Sequence, residues 1–93
     1  MRVRVRYYAM ARDAAGKRDE VISLPEGSTV LGLVHALVML HGLLRDYVFD
    51  DKGRPMDYLM FSVNEVDIVG LEGFETVLSD GDYVRVMPPI GGG

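Results

Sequence analysis

Cysteine is absent from the chain, which excludes a disulfide framework, a thiol nucleophile and a cysteine-ligated metal, and is compatible with a reducing cytoplasm. No apolar run is long enough for a bilayer. The longest, Val30 to Leu40, carries Gly32 and His35 and falls well short of a span of about 20 residues. The opening Met1-Arg2-Val3-Arg4 lacks the apolar stretch of a secretory leader. Positive charge is in the minority: 10 Lys and Arg against 14 Asp and Glu give a net charge of −4. A general hold on nucleic acid needs the opposite balance. The expectation is a soluble cytoplasmic domain with neither a nucleic-acid nor a membrane partner.

Catalytic groups are scarce as well. The two histidines, His35 and His41, are six positions apart, which on a helix sets them about 120° out of phase rather than on one face as paired metal ligands. Ser23, Ser28, Ser62 and Ser79 have no histidine at a suggestive spacing, and caps or strands account for each. Asp50, Asp51, Asp80 and Asp82 stand where turns need aspartate. No glycine-rich phosphate loop precedes the helix and no calcium loop is present. The chain is therefore expected to hold no catalytic residue, no metal and no cofactor of its own, and not to be a self-sufficient enzyme.

What is present suits one small domain of 93 residues, with 48% apolar and 26% charged side chains. Arg2 to Tyr7 alternates with period two and predicts a half-buried strand, Val3, Val5 and Tyr7 inward. Ala15 to Arg18 reads as a turn and Glu20 to Leu24 as a return strand closing a hairpin. Ser28 or Thr29 offers an N-cap to a helix from about Val30 to His41. That helix is apolar nearly all round, so its second face needs cover from a partner or, the favoured expectation, from the segment carrying Leu43, Leu44, Tyr47, Val48 and Phe49. Asp50 to Pro55 reads as a loop, Tyr58 to Val63 as a strand, Asn64-Glu65 as a tight turn and Val66 to Val69 as a short partner. Glu72 to Thr76 suits a 3₁₀ turn, and Asp82 to Met87 the last strand, Val84 and Val86 inward, Tyr83 and Arg85 outward. If that strand lies beside the first, Arg85 joins Arg2, Arg4 and Arg6 on one face, either a docking patch or a charged, solubilising surface. Tyr83 and Met87, with Arg85, are the candidates for partner contact.

The final residues, Pro88-Pro89-Ile90-Gly91-Gly92-Gly93, are the anomaly. Two prolines cannot continue a ladder and favour a stiff extended segment, and three glycines have the greatest backbone freedom of any residues. Such an end is either frayed and inert, or slim enough to enter another protein's narrow channel and present its carboxylate there.

Val63-Asn64-Glu65-Val66-Asp67-Ile68, Leu71-Glu72-Gly73-Phe74-Glu75-Thr76, Asp80-Gly81-Asp82 and Met87-Pro88-Pro89-Ile90-Gly91-Gly92-Gly93 resemble the MoaD family. Val5-Arg6-Tyr7-Tyr8-Ala9, Ala11-Arg12 and Ala15-Gly16 fit it too, and the likeness is weakest from Leu43 to Asp57. Glu65 stands where many members carry glycine. The resemblance implies an α+β, β-grasp (ubiquitin-like) fold, a mixed sheet of about four to five strands with one main helix packed on one face, over residues 1–87, with 88–93 as an extended Gly-Gly tail. It implies that an E1-like enzyme, using ATP, adenylates Gly93, that Gly92 permits entry, and that Pro88, Pro89, Ile90 and Gly91 set the tail geometry. A sulfur donor enzyme then makes the thiocarboxylate, and the large subunit of molybdopterin synthase receives it. Archaeal small modifiers share this ending and are joined to lysines of target proteins or serve tRNA thiolation. The stretch Leu43 to Asp57 and Leu71-Glu72-Gly73 look closer to archaeal MoaD-like members than to compact bacterial ones. The ThiS thiamine carriers, which usually lack the Pro-Pro, rank third.

Overall fold

Alternation of arginine with valine and tyrosine makes the first strand. In the computed structural model β1 runs Arg2–Tyr7 with Val3, Val5 and Tyr7 buried and the three arginines exposed. Residues 1–56 and 58–88 are described by the structure.

The chain does not turn straight back after Tyr7, which corrects the expected hairpin. A helix, α1 (Ala9–Ala15), intervenes. Alanine-rich sequence favours it, its buried residues Ala11 and Ala15 lie one turn apart on the core side, and Gly16 closes it. Gly16 adopts φ +75° and donates its N–H to the Arg12 carbonyl at 2.8 Å, a left-handed ending that glycine accepts at least cost. β2 (Asp19–Ser23) then pairs antiparallel with β1.

Thr29 is the N-cap of α2 (Val30–Leu40), its hydroxyl accepting the Gly32 N–H at 3.2 Å. Val30, Leu33, Val34 and Leu37 form the buried stripe, the i, i+3, i+4, i+7 pattern of a helix with one core face. The following segment covers part of the rest. A 3₁₀ turn, Gly42–Leu44, and α3 (Arg45–Val48) send Leu44, Val48 and Phe49 into the core, and Phe49 stacks on His35 with ring centroids 4.9 Å apart. Met39, Leu40 and Leu43 nevertheless stay exposed, so the cover is incomplete.

β3 (Met60–Val63) and β4 (Val66–Asp67) flank the Asn64-Glu65 turn, whose two residues both have positive φ, 50° and 72°. β4 is shorter than expected because the Asp67 carboxylate accepts the Val69 N–H at 2.9 Å and starts a 3₁₀ turn, Ile68–Gly70. A second turn covers Gly73–Glu75, and β5 (Tyr83–Met87) is the last strand. The sheet order is β2-β1-β5-β3-β4, with β5 parallel to β1 and antiparallel to β3. Its inner face, including Val3, Val5, Tyr7, Phe61, Val63, Val84 and Val86, forms one core with the α2 stripe. This is the ubiquitin-like β-grasp arrangement.

Candidate functional site at the tail-exit end of the sheet

The register of β5 decides what is displayed, and turn chemistry sets that register. Asp80 Oδ1 accepts the Arg2 N–H at 2.7 Å, and the Gly81 N–H reaches the Arg2 carbonyl at 2.8 Å. Asp82 accepts from the Ser79 N–H at 2.7 Å and from the Asn64 side-chain amide at 2.9 Å, while the Asn64 carbonyl oxygen accepts the Tyr83 N–H at 2.9 Å. The aspartates assigned to turns thus lock the entry of β5 between β1 and β3.

With that register, Arg4 lies opposite Tyr83, Arg6 opposite Arg85, Arg85 opposite Ser62 and Met87 opposite Met60. The period-two pleat puts all of these on the face away from the core. The arginine face expected from the sequence is therefore formed, with Arg85 in it. The Tyr83 ring has the Arg4 and Arg85 guanidinium carbons at 5.5 and 5.3 Å from its centroid, and Arg6 lies 5.6 Å from the Tyr8 ring, all within cation–π range. Arg85 Nη2 also donates to Glu65 Oε1 at 2.9 Å.

The two phenols are driven apart. Burial pushes Tyr8 above the usual tyrosine range, and its hydrogen bond with Tyr83 adds to that. For Tyr83 burial acts upward too, but hydrogen bonds with Arg85 and Tyr8 and the charges of Arg85 and Arg6 outweigh it and hold the phenol below that range. Sequence reasoning picked Tyr83, Arg85 and Met87, and the structure brings them onto one face. It missed Tyr8, which follows directly on the alternating run and whose aromatic ring beside Arg6 was the available signal.

The Tyr8 N–H bonds to the Val86 carbonyl at 3.0 Å, near the end of the ladder. β5 is central, so the chain leaves the sheet at Pro88 with β1 on one side and β3 on the other. Pro88 is the last described residue and is half-buried. The expectations for Pro89, Ile90, Gly91, Gly92 and Gly93 fall outside the described residues.

Elsewhere the histidines have structural partners. His35 stacks on Phe49 as above, and His41 Nε2 lies 2.6 Å from Glu20 Oε2, which also accepts the Tyr7 hydroxyl proton at 2.5 Å. Burial acts to raise the Glu20 carboxyl, but the Tyr7 and His41 hydrogen bonds and the charges of His41 and Lys17 hold it below the usual carboxylate range. Burial, reinforced by Glu20, pushes the Tyr7 phenol far above its own. Among the described residues no group of three His, Asp or Glu side chains is placed to hold a metal ion, and no helix is long and apolar enough to cross a membrane.

These features define a ubiquitin-like β-grasp domain whose central strand ends at Met87, beside a cationic aromatic face. Over residues 5–93 the chain matches the ThiS family, and it belongs to that family of small ubiquitin-like sulfur carriers and modifiers. It is 28% identical over 93 residues, spanning 100% of both chains, to small archaeal modifier protein 3 of Haloferax volcanii. It is 32% identical over 91 residues, covering 98% of this chain and 93% of the relative, to the molybdopterin synthase sulfur carrier subunit of Homo sapiens. The crystal structure of SAMP1 from Haloferax volcanii superposes with a TM-score of 0.87 at 25% identity, with 100% of each chain covered.

Proposed function

We propose that this chain is a sulfur carrier of molybdopterin synthesis, acting as the small, non-catalytic subunit of molybdopterin synthase. The observation that carries the reading is that the central strand β5, held between β1 and β3, leads at Pro88 into the sequence Pro-Ile-Gly-Gly-Gly. A rigid origin and slim end let a partner thread the last residues into its own site while the domain docks outside.

In this reading the Gly93 carboxylate attacks the α-phosphorus of ATP on an E1-like enzyme and pyrophosphate leaves. Sulfur from a donor enzyme, delivered at the sulfide oxidation level, then attacks the acyl carbon and AMP departs, leaving a thiocarboxylate. Adenylation converts a poor leaving group into a good one. The large synthase subunit accepts the sulfur. Acid–base and oxyanion groups belong to these partners, as does the nucleotide site. On this chain Tyr83, Arg85 and Met87 form the docking contact beside the tail, with Gly92 and Gly91 keeping the approach narrow.

A second reading is favoured by the full-length similarity to a small archaeal modifier: the same acyl-adenylate passes to lysines of target proteins, or its sulfur to tRNA. Both readings require activation at Gly93. ATP–pyrophosphate exchange, with the E1-like enzyme of the cells that make this chain, tests that step. Exchange should depend on this chain and disappear when one residue is added after Gly93. Exchange that ignores the extension overturns both readings.

A further inference from the structure

Two residues paired across β3 and β5, on the outer face of the sheet, each hold an unpaired polar atom among the described residues. Arg85 Nε and Ser62 Oγ are buried and have no hydrogen-bond partner among the described residues, and the two residues are cross-strand neighbours. Ser62 is only 5% exposed, the one polar residue in the buried set among the described residues. Buried polar groups are almost always paired, so two orphans on paired residues call for an explanation.

Glu65 faces the same guanidinium. Its φ of +72° is a conformation that favours glycine, yet it carries a carboxylate that meets Arg85 through one nitrogen only, Nη2. The Glu65 side chain is 69% exposed, so this is a single-point, largely hydrated contact of the weak kind. A carboxylate meeting guanidinium side-on takes Nε and Nη together, a stronger and more directional pair.

We infer that Arg85 is the anchor for one carboxylate of the protein that docks on this face, and that Glu65 holds its place in the free chain. On docking, Glu65 is released to solvent, its departure uncovers the buried Nε, and an aspartate or glutamate of the partner takes the Nε–Nη2 edge of Arg85. The inference rests on the docking reading above and adds the partner's chemistry at this point. One planar carboxylate fits better than a polyanion: Arg4, Arg6 and Arg85 all lie against tyrosine rings, Arg85 is the one of the three with a buried Nε left unpaired among the described residues, and the chain as a whole carries −4.

The test uses the full chain and the adenylating enzyme of the same cells, reading the chain concentration that half-saturates ATP–pyrophosphate exchange. Arg85→Gln should raise that concentration roughly tenfold. Glu65→Gln should lower it roughly two- to fivefold, the worth of an exposed competing pair, and Glu65→Gly, whose backbone suits the turn, should do the same. In the Arg85→Gln background either Glu65 change should have no effect. No change or a rise on replacing Glu65, or an equal effect without Arg85, overturns the inference while leaving docking intact. Inhibition by inorganic phosphate that vanishes with Arg85→Gln would also overturn it, in favour of a phosphate anchor. Absence of exchange with the unaltered chain defeats the docking reading itself, and the anchor with it.

Discussion

The Asn64 side chain bridges two turns: its amide nitrogen donates to Asp82 Oδ1 and its amide oxygen accepts the Tyr83 N–H, each at 2.9 Å. One residue in the β3–β4 turn thereby holds the first residue of β5, and through β5 the position of Pro88. Replacing it with glycine keeps the positive φ available and removes only these bonds. Asn64→Gly is expected to cost about 1–3 kcal/mol, measured by urea unfolding, and amide exchange should quicken at Tyr83 before it does in β1.

The Tyr7–Glu20–His41 cluster ties the β2 edge to the end of α2. The Tyr7 hydroxyl is buried with its ring, which is 1% exposed, so Glu20→Ala strands a buried donor. A loss of about 1–3 kcal/mol is expected, with Glu20→Gln retaining part of it because an amide oxygen still accepts. A fully stable Glu20→Ala chain would show that the cluster is incidental.

The same carboxylate gives a pH dependence whose sign follows from its lowered pKa. The unfolded chain takes up this proton near the ordinary value of about 4.3, the folded chain only at lower pH. The stability contributed is thus complete above that value and is lost as pH falls through the folded value. Unfolding free energy measured on descent into that acidic window should drop more steeply for the native chain than for Glu20→Gln. Equal slopes would remove Glu20 from the account.

Leu33 sits at the middle of the α2 stripe and is 0% exposed. Leu33→Ala should cost about 2–5 kcal/mol, a large part of the total stability of about 5–15 kcal/mol usual for a domain. By contrast, Met39→Ser at a position 86% exposed should move the urea midpoint little.

Much of this was legible from the chain because period-two and period-3.6 patterns coincide with the elements they imply. Arg2 to Tyr7 reads correctly as a strand, and the strand expected over Asp82 to Met87 forms from Tyr83 onward, each with the expected residues inward. The sequence does not mark α1 as a helix, since only two of its residues are fully buried and Tyr8 supplies no side-chain cap. Its signal, an alanine-rich stretch ended by glycine, is weaker than the strand alternation on either side. The docking face was only half legible. Arg85 joins the arginine row because β5 pairs in parallel with β1, a tertiary fact that local pattern does not contain. The Glu65–Arg85 contact was likewise hidden, since sequence offered Glu65 only as a substitute for glycine in a turn.

The central claim is that Gly93 is activated, and denaturing mass spectrometry of every species carrying this chain, isolated from the cells that make it, tests it most directly. A form with one terminal oxygen replaced by sulfur is expected, alone for a dedicated carrier, or together with isopeptide links from Gly93 to lysines where the chain also serves as a modifier. An unmodified carboxylate on every copy would contradict it.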